Sequence, residues 1–169
     1  MLLPFYRQMS LIRQRNSLQK DLMDEKQKLY DLQSYAATLG QGRLTMASVA
    51  SLPASVFSDG VSFMNFSNQA ALMEAQQKFS IFQQSGMIQQ QGVTNPVQQQ
   101  QMQRYYFNCF AEQAYQRMRK AKEAELNKKE KEIDLRTARI EQRLQAVNSE
   151  LESVKGAVDR DAQNAPKYA

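Results

Sequence analysis

Residues 126–158 read LNKKEKEIDLRTARIEQRLQAVNSELESVKGAV, and this stretch sets the architecture. Its apolar residues recur in alternating steps of four and three, the spacing that keeps one stripe along a helix. The stripe consists of Leu126, Ile133, Ile140, Leu144, Val147, Leu151, Val154 and Val158. Such a stripe is buried only when it packs against another helix. The stretch therefore predicts a long helix with a helical partner.

The same spacing occurs near the other end of the chain. The apolar members there are Leu11, Leu18, Leu22, Leu29 and Leu32. We call these residues and the stripe of 126–158 together the seam, and we predict that the seam mediates assembly. Polar residues interrupt it at Arg15, Glu25, Glu130 and Thr137, and they should restrict the alignment of the paired helices.

Breaks in these patterns divide the chain. We predict an N-terminal helix over 1–40, ended by Gly40, and a loop over 41–60 with one short helical turn. A Phe- and Met-rich helix should follow over 61–85, then a glutamine-rich loop over 86–96. The last helix should span 97–160, and 161–169 should form a tail. The predicted fold is all-α: an elongated helical hairpin or coiled coil with two long terminal helices and a shorter middle helix.

The apolar pattern of the last helix changes phase between Ala121 and Leu126, so its two halves should face different partners. In the first arrangement, which we suggest, the aromatic half before Leu126 packs on the first and middle helices, and the later half pairs with a neighbouring molecule. In the second, rival arrangement, the first helix folds back along the later half, and the aromatic half is left for other partners. The spacing is compatible with both.

Composition argues against most catalytic chemistry. The chain has no His and one Cys, Cys109, so it lacks an imidazole base and the common metal triads. The carboxylates of 123–134 alternate with lysines on a helix and are typical of solvated ion pairs. We therefore expect no enzyme activity, no cofactor and no metal site.

The charge pattern also limits the kinds of partner that this chain could bind. The net charge is +5, from 22 Lys and Arg against 17 Asp and Glu, yet residues 44–103 carry only Asp59, Glu74 and Lys78. A basic leucine zipper would place arginine eight residues after Asn108, but Gln116 stands there. Binding of nucleic acid is therefore the least favoured interpretation.

No stretch is long and apolar enough to predict a membrane span. The first fifteen residues also lack the continuous apolar region of a cleaved secretory signal. We expect synthesis in the cytoplasm, followed by residence there or export by a route without such a signal, and the localisation stays open.

The middle helix carries more large apolar side chains than one seam needs, which is typical of association surfaces. The candidate partner surface is Phe63, Phe66, Met73, Phe79 and Phe82. Two long helices around a polar middle resemble, in layout, subunits of bacterial filaments and substrates of flagellar-type export. The leading hypothesis is a non-catalytic structural protein that self-assembles. The alternative is a dimeric adaptor, scaffold or chaperone that binds a client through the middle helix.

Overall fold

A computed structural model describes residues 2–86 and 95–163. Within those ranges the chain forms four α helices and no strand: α1 (Leu2–Gly40), α2 (Met46–Ala50), α3 (Ala54–Gln84) and α4 (Pro96–Gln163). The predicted all-α class with two long helices is confirmed.

The middle of the chain is more helical than its sequence predicts. α2 is the short helical turn expected within 41–60, but α3 begins at Ala54, seven residues before the predicted start at Val61. Pro53 occupies the N-cap position of α3, and Ser55 Oγ donates a hydrogen bond to Asp31 Oδ2 on α1 at 2.6 Å. Contacts with α1 and α2 therefore stabilise a first turn that looks like a loop in isolation.

The ends of the other helices lie close to their predicted positions. Gly86, with φ +71°, follows the end of α3, and a glycine tolerates that left-handed conformation best. α4 begins one residue early, where the Val97 N–H donates to Asn95 Oδ1 at 3.0 Å, as a helix cap does. Residues 87–94 of the predicted glutamine-rich loop and 164–169 of the predicted tail lie outside the described residues.

The chain divides into two compact units, unit 1 (Met1–Tyr30 with Lys129–Ala169) and unit 2 (Asp31–Lys128). In unit 1, α1 and α4 run antiparallel. Leu11, Val147 and Leu151 form the buried cluster, and Lys26 Nζ lies 3.1 Å from Glu141 Oε1. For the later half of α4, the structure thus follows the second arrangement, in which the first helix folds back along it.

Polar groups lie inside the paired helices of unit 1, where the sequence places interruptions in the seam. Glu25 is buried; its Oε1 accepts a hydrogen bond from Lys28 Nζ at 2.7 Å, and its Oε2 lies 4.0 Å from Arg136 Nη1. Glu25 Oε2, Arg15 Nε and Thr137 Oγ1 are buried without a hydrogen-bond partner. Because a buried carboxylate is costly without nearby cations, alignments of α1 and α4 that move Arg136 away from Glu25 are disfavoured.

Unit 2 contains the main core. It is built from the end of α1, α2, α3 and the first part of α4, and its members are Leu32, Tyr35, Leu39, Leu44, Val49, Leu52, Phe63, Met64 and Leu126. The aromatic half of α4 therefore packs on the first and middle helices, as the first arrangement expects. Each arrangement is realised on a different stretch of α4.

Tyr115 of α4 contacts Arg43 and Leu44, which lie in the segment between α1 and α2. It is almost fully buried, and its Oη accepts a hydrogen bond from the buried Leu44 N–H at 2.9 Å. Arg43 Cζ lies 5.2 Å from the centre of the same ring, within the range of a cation–π contact.

Tyr115→Phe should lower the free energy of unfolding by about 2 kcal/mol, because it keeps the ring but leaves the Leu44 N–H buried without an acceptor. Tyr35→Phe is the matched control. Its hydroxyl donates to the Asp59 carbonyl at 3.5 Å, a distance at which a hydrogen bond is weak, and its loss should cost less than 1 kcal/mol. Urea unfolding at pH 7 measures both, and equal losses would contradict the assigned bond.

Tyr35 should also make stability depend on alkaline pH. Burial, assisted by the nearby charges of Asp59 and Glu125, raises the pKa of Tyr35 from 10.0 to about 12. A phenol whose pKa is raised by folding contributes stability fully below pH 10, and this contribution is lost as pH rises through 12. Between pH 10 and pH 12, the wild type should lose up to about 2 kcal/mol relative to Tyr35→Phe. Parallel stability curves for the two chains would contradict this.

Candidate interaction surface on the third helix

In the middle of α3, the face that packs on α4 carries small residues. Ser67, Ala71 and Ala75 recur every four residues and are fully buried, and Ala114 lies buried on α4. Ala71 forms a buried cluster with Ala114 and Tyr115. Side chains this small let the two backbones approach closely, and the spacing of four fixes which face of α3 points inward.

Aromatic rings extend the same contact toward the C-terminal end of α3. Phe79 packs edge-on against Phe107 with ring centres 6.0 Å apart. The ring of Phe82 lies between those of Tyr106 and Phe110, with centre-to-centre distances of 4.8 Å and 5.9 Å. These distances are typical of favourable aromatic pairs.

The candidate partner surface is therefore split. Phe79 and Phe82 pack on α4, and Phe63 lies in the core of unit 2, only 9% exposed. Phe66 and Met73 instead point to solvent, 64% and 65% exposed. The structure does not bring the five residues together on one surface.

The two outward residues belong to a longer stripe. All its members are exposed, and they follow steps of four and three along α3: Ser62, Phe66, Gln69, Met73, Gln76, Ser80 and Gln83. We call these seven residues the outer stripe. Ile81, 67% exposed, lies beside it. In the sequence, the seven-residue spacing of Phe66 and Met73 places them on one face of the helix. The polar residues between them make this face hard to recognise from the sequence.

The outer stripe carries no charge. Asp59, Glu74 and Lys78 are the charged residues of α3, and none of them belongs to the stripe. Glu74 pairs with Lys78 at 3.0 Å and with Arg117 of α4. The hydrogen bond from Lys78, assisted by Arg117, lowers the pKa of the Glu74 carboxyl. Glu74 thus connects α3 to α4, and the outer stripe stays neutral over 62–83.

The surface of the outer stripe is shallow. Met73, Gln76, Gln77 and Ser80 line a depression of about 310 Å³. A larger depression of about 520 Å³ lies along one face of α4 and includes Cys109 and Arg117. Each is an open depression lined by residues of a single helix, unlike the enclosed cleft of a small-molecule site, whereas a shallow stripe on a helix suits contact with another helix.

Cations near the middle of α4 lie beside carboxylates. Arg119 Nε is 3.6 Å from Glu123 Oε1, and Lys122 Nζ is 2.9 Å from Glu125 Oε2. Among the described residues, no group of three or more His, Cys, Asp or Glu side chains could hold a metal ion.

In residues 2–86 and 95–163, no helix has a stretch apolar and long enough to cross a bilayer. No protein-family model matches the chain, and comparisons with curated proteins and with solved structures find no significant match. Any function must therefore be argued from the geometry described above.

The apolar seam residues occupy positions different from those of the outer stripe. None of the thirteen is exposed, and Leu11, Leu32, Leu126, Ile133, Val147 and Leu151 are buried. Those in unit 1 lie along the antiparallel pair of α1 and α4, and Leu32 and Leu126 lie in the core of unit 2. The seam is thus shielded within the chain, while the outer stripe is open.

Proposed function

We propose that this chain is a non-catalytic structural protein, a subunit of a larger protein assembly, which binds a helical surface of another protein molecule through the outer stripe of α3. The observation that carries the proposal is the exposure of Phe66 and Met73 on the outer stripe, which has no charged residue over 62–83. Large apolar side chains such as these lower their free energy when a partner covers them.

The seam is a weaker candidate for the contact between molecules. Its residues already lie against other parts of the same chain, so a second molecule would have to displace α1 or α4. Displacement would expose the apolar side chains that hold unit 1 together, at about 1.5 to 3 kcal/mol for each large residue. The outer stripe needs no such rearrangement.

A photo-crosslinker tests the proposal in the native host. A benzophenone amino acid replaces Met73 in one chain and Met46 in another, since both side chains are similarly exposed, at 65% and 67%. The expected result is a discrete adduct with protein at position 73 that is absent at position 46. No adduct at 73, or the same adducts at both positions, would overturn the proposal.

A further inference from the structure

We propose that the partner of the outer stripe is the outer stripe of a second copy of this chain, related by a twofold axis. This inference rests on the proposed function and adds the identity of the partner. The reasons lie in the charge, the chemistry and the size of the surface.

Charge is the first reason. In a twofold contact, each surface meets its own copy, so a patch of one sign repels itself. The outer stripe has no charged member over 62–83 and avoids this cost. α1 offers the contrast: its exposed Tyr6 and Met23 lie on a face that also carries Arg13 and Lys20, which would oppose like cations in a second copy.

Side-chain chemistry is the second reason. Gln69, Gln76 and Gln83 each carry an amide with donors and an acceptor, so an identical amide satisfies it. Met73, at the centre of the stripe, has a flexible side chain that adapts to another methionine. A stripe of this composition is complementary to itself, and a charged partner surface would find no counterion on it.

The size of the surface is the third reason. The stripe runs for about 32 Å along α3 at 1.5 Å per residue. Phe66, Met73 and Ile81 together with the five glutamine and serine side chains of the stripe would bury on the order of 600 Å² per copy, judged from the 150–250 Å² of a buried aromatic residue. The total of about 1,200 Å² is the lower limit of specific interfaces. A dimer that dissociates at micromolar concentrations is expected.

Analytical ultracentrifugation of the full chain tests the inference with a charge swap. The wild type should change from monomer to dimer between about 1 and 500 μM. Met73→Asp and Met73→Lys should each weaken the dimer by about 100-fold, because two like charges then meet at the centre of the contact. An equimolar mixture of the two variants should recover dimers, since aspartate then faces lysine.

Met46→Asp is the matched control, with a similarly exposed methionine on α2, and its dimerisation should equal that of the wild type. Circular dichroism should show unchanged helicity in all variants. A wild type that stays monomeric at 500 μM, or a mixture that recovers no dimer, would overturn the inference. So would oligomers that persist in Met73→Asp.

Cross-linking gives a second, independent measurement. Met73→Cys in a Cys109→Ser background places one thiol at the centre of the stripe, where two copies meet whether their helices run parallel or antiparallel. Oxidation with copper phenanthroline should yield a disulfide-linked dimer at 73, and Met46→Cys in the same background should not. Equal linkage at both positions would indicate random collision and contradict the inference.

The experiments distinguish failure of the twofold dimer from failure of the proposed function. If the chain is monomeric while the photo-crosslinker at position 73 captures a different protein, the second copy is excluded and the interaction surface stands. If position 73 gives no specific adduct and the chain is monomeric, both are excluded.

Discussion

Replacing Val147 with aspartate should unfold the helix pair of unit 1 and leave the mass of the chain in solution unchanged. Val147 is 6% exposed and packs in the cluster of Leu11 and Leu151. The substitution removes about 2 kcal/mol of apolar burial and places a carboxylate in a cluster of apolar side chains. A loss of about 4 kcal/mol is expected, which is comparable to the whole stability of a small unit.

In one sample, circular dichroism at 222 nm measures the helicity of the variant and light scattering measures its mass in solution. Ala146→Asp is the matched control: it introduces the same side chain one residue earlier, at an exposed position, and should cost less than 1 kcal/mol. If Val147→Asp instead keeps its helicity and yields a smaller species than the wild type, the seam joins separate molecules. That outcome would contradict the pairing of α1 with α4 within one chain.

Gly60→Val should lower the free energy of unfolding by about 2 to 3 kcal/mol, because α2 and α3 approach most closely at this glycine. A Cβ atom at Gly60 would lie 2.5 Å from Leu52 Cδ1 and 3.5 Å from Val49 Cγ1, and valine adds two further methyl groups. Leu52 and Val49 are both buried, so neither has solvent-facing space to move into. Overpacking of a core costs energy of this size.

Gly156→Val provides the comparison, since both glycines lie inside helices. A Cβ at Gly156 has nothing within 4 Å, so only helix propensity changes, and stability should stay within about 0.5 kcal/mol of the wild type or rise slightly. Thermal or urea unfolding of both variants gives the difference between their free energies of unfolding. Equal stabilities would mean that α2 does not pack against Gly60.

The sequence predicts which faces of the two long helices are buried, because that burial depends on periodicity. Steps of three and four place Leu11, Val147 and Leu151 on one side of their helices, and burial of apolar surface then acts on that side alone. The spacing does not determine which helix is the partner, or whether that helix belongs to the same molecule. For this reason the sequence left two arrangements open, and the structure realises each of them on a different half of α4.

The start of α3 could not be predicted from local signals. Ser58, Asp59 and Gly60 together are typical of a turn, yet they lie inside a helix. The glycine is there because α2 leaves no room for a side chain, and this requirement comes from residues eight and eleven positions earlier. Tertiary packing overrides local propensity at such positions.

The candidate interaction surface was predicted in part. Sequence analysis identified Phe66 and Met73 but grouped them with Phe63, Phe79 and Phe82, which pack inside. The missed signal lies in the small residues Ser67, Ala71 and Ala75, which mark the face of α3 that contacts α4.

The carboxylate of Glu25 inside unit 1 has a consequence for the energy landscape of the chain. Leucines repeat at similar intervals along both helices, so a shift of α1 by one heptad would bury nearly the same apolar area. Such a shift would carry Lys28 along with Glu25 but remove Arg136, so the buried carboxylate would keep one neighbouring cation instead of two. With leucine at position 25 that cost would vanish, so the carboxylate widens the energy gap between the native pairing and the shifted one.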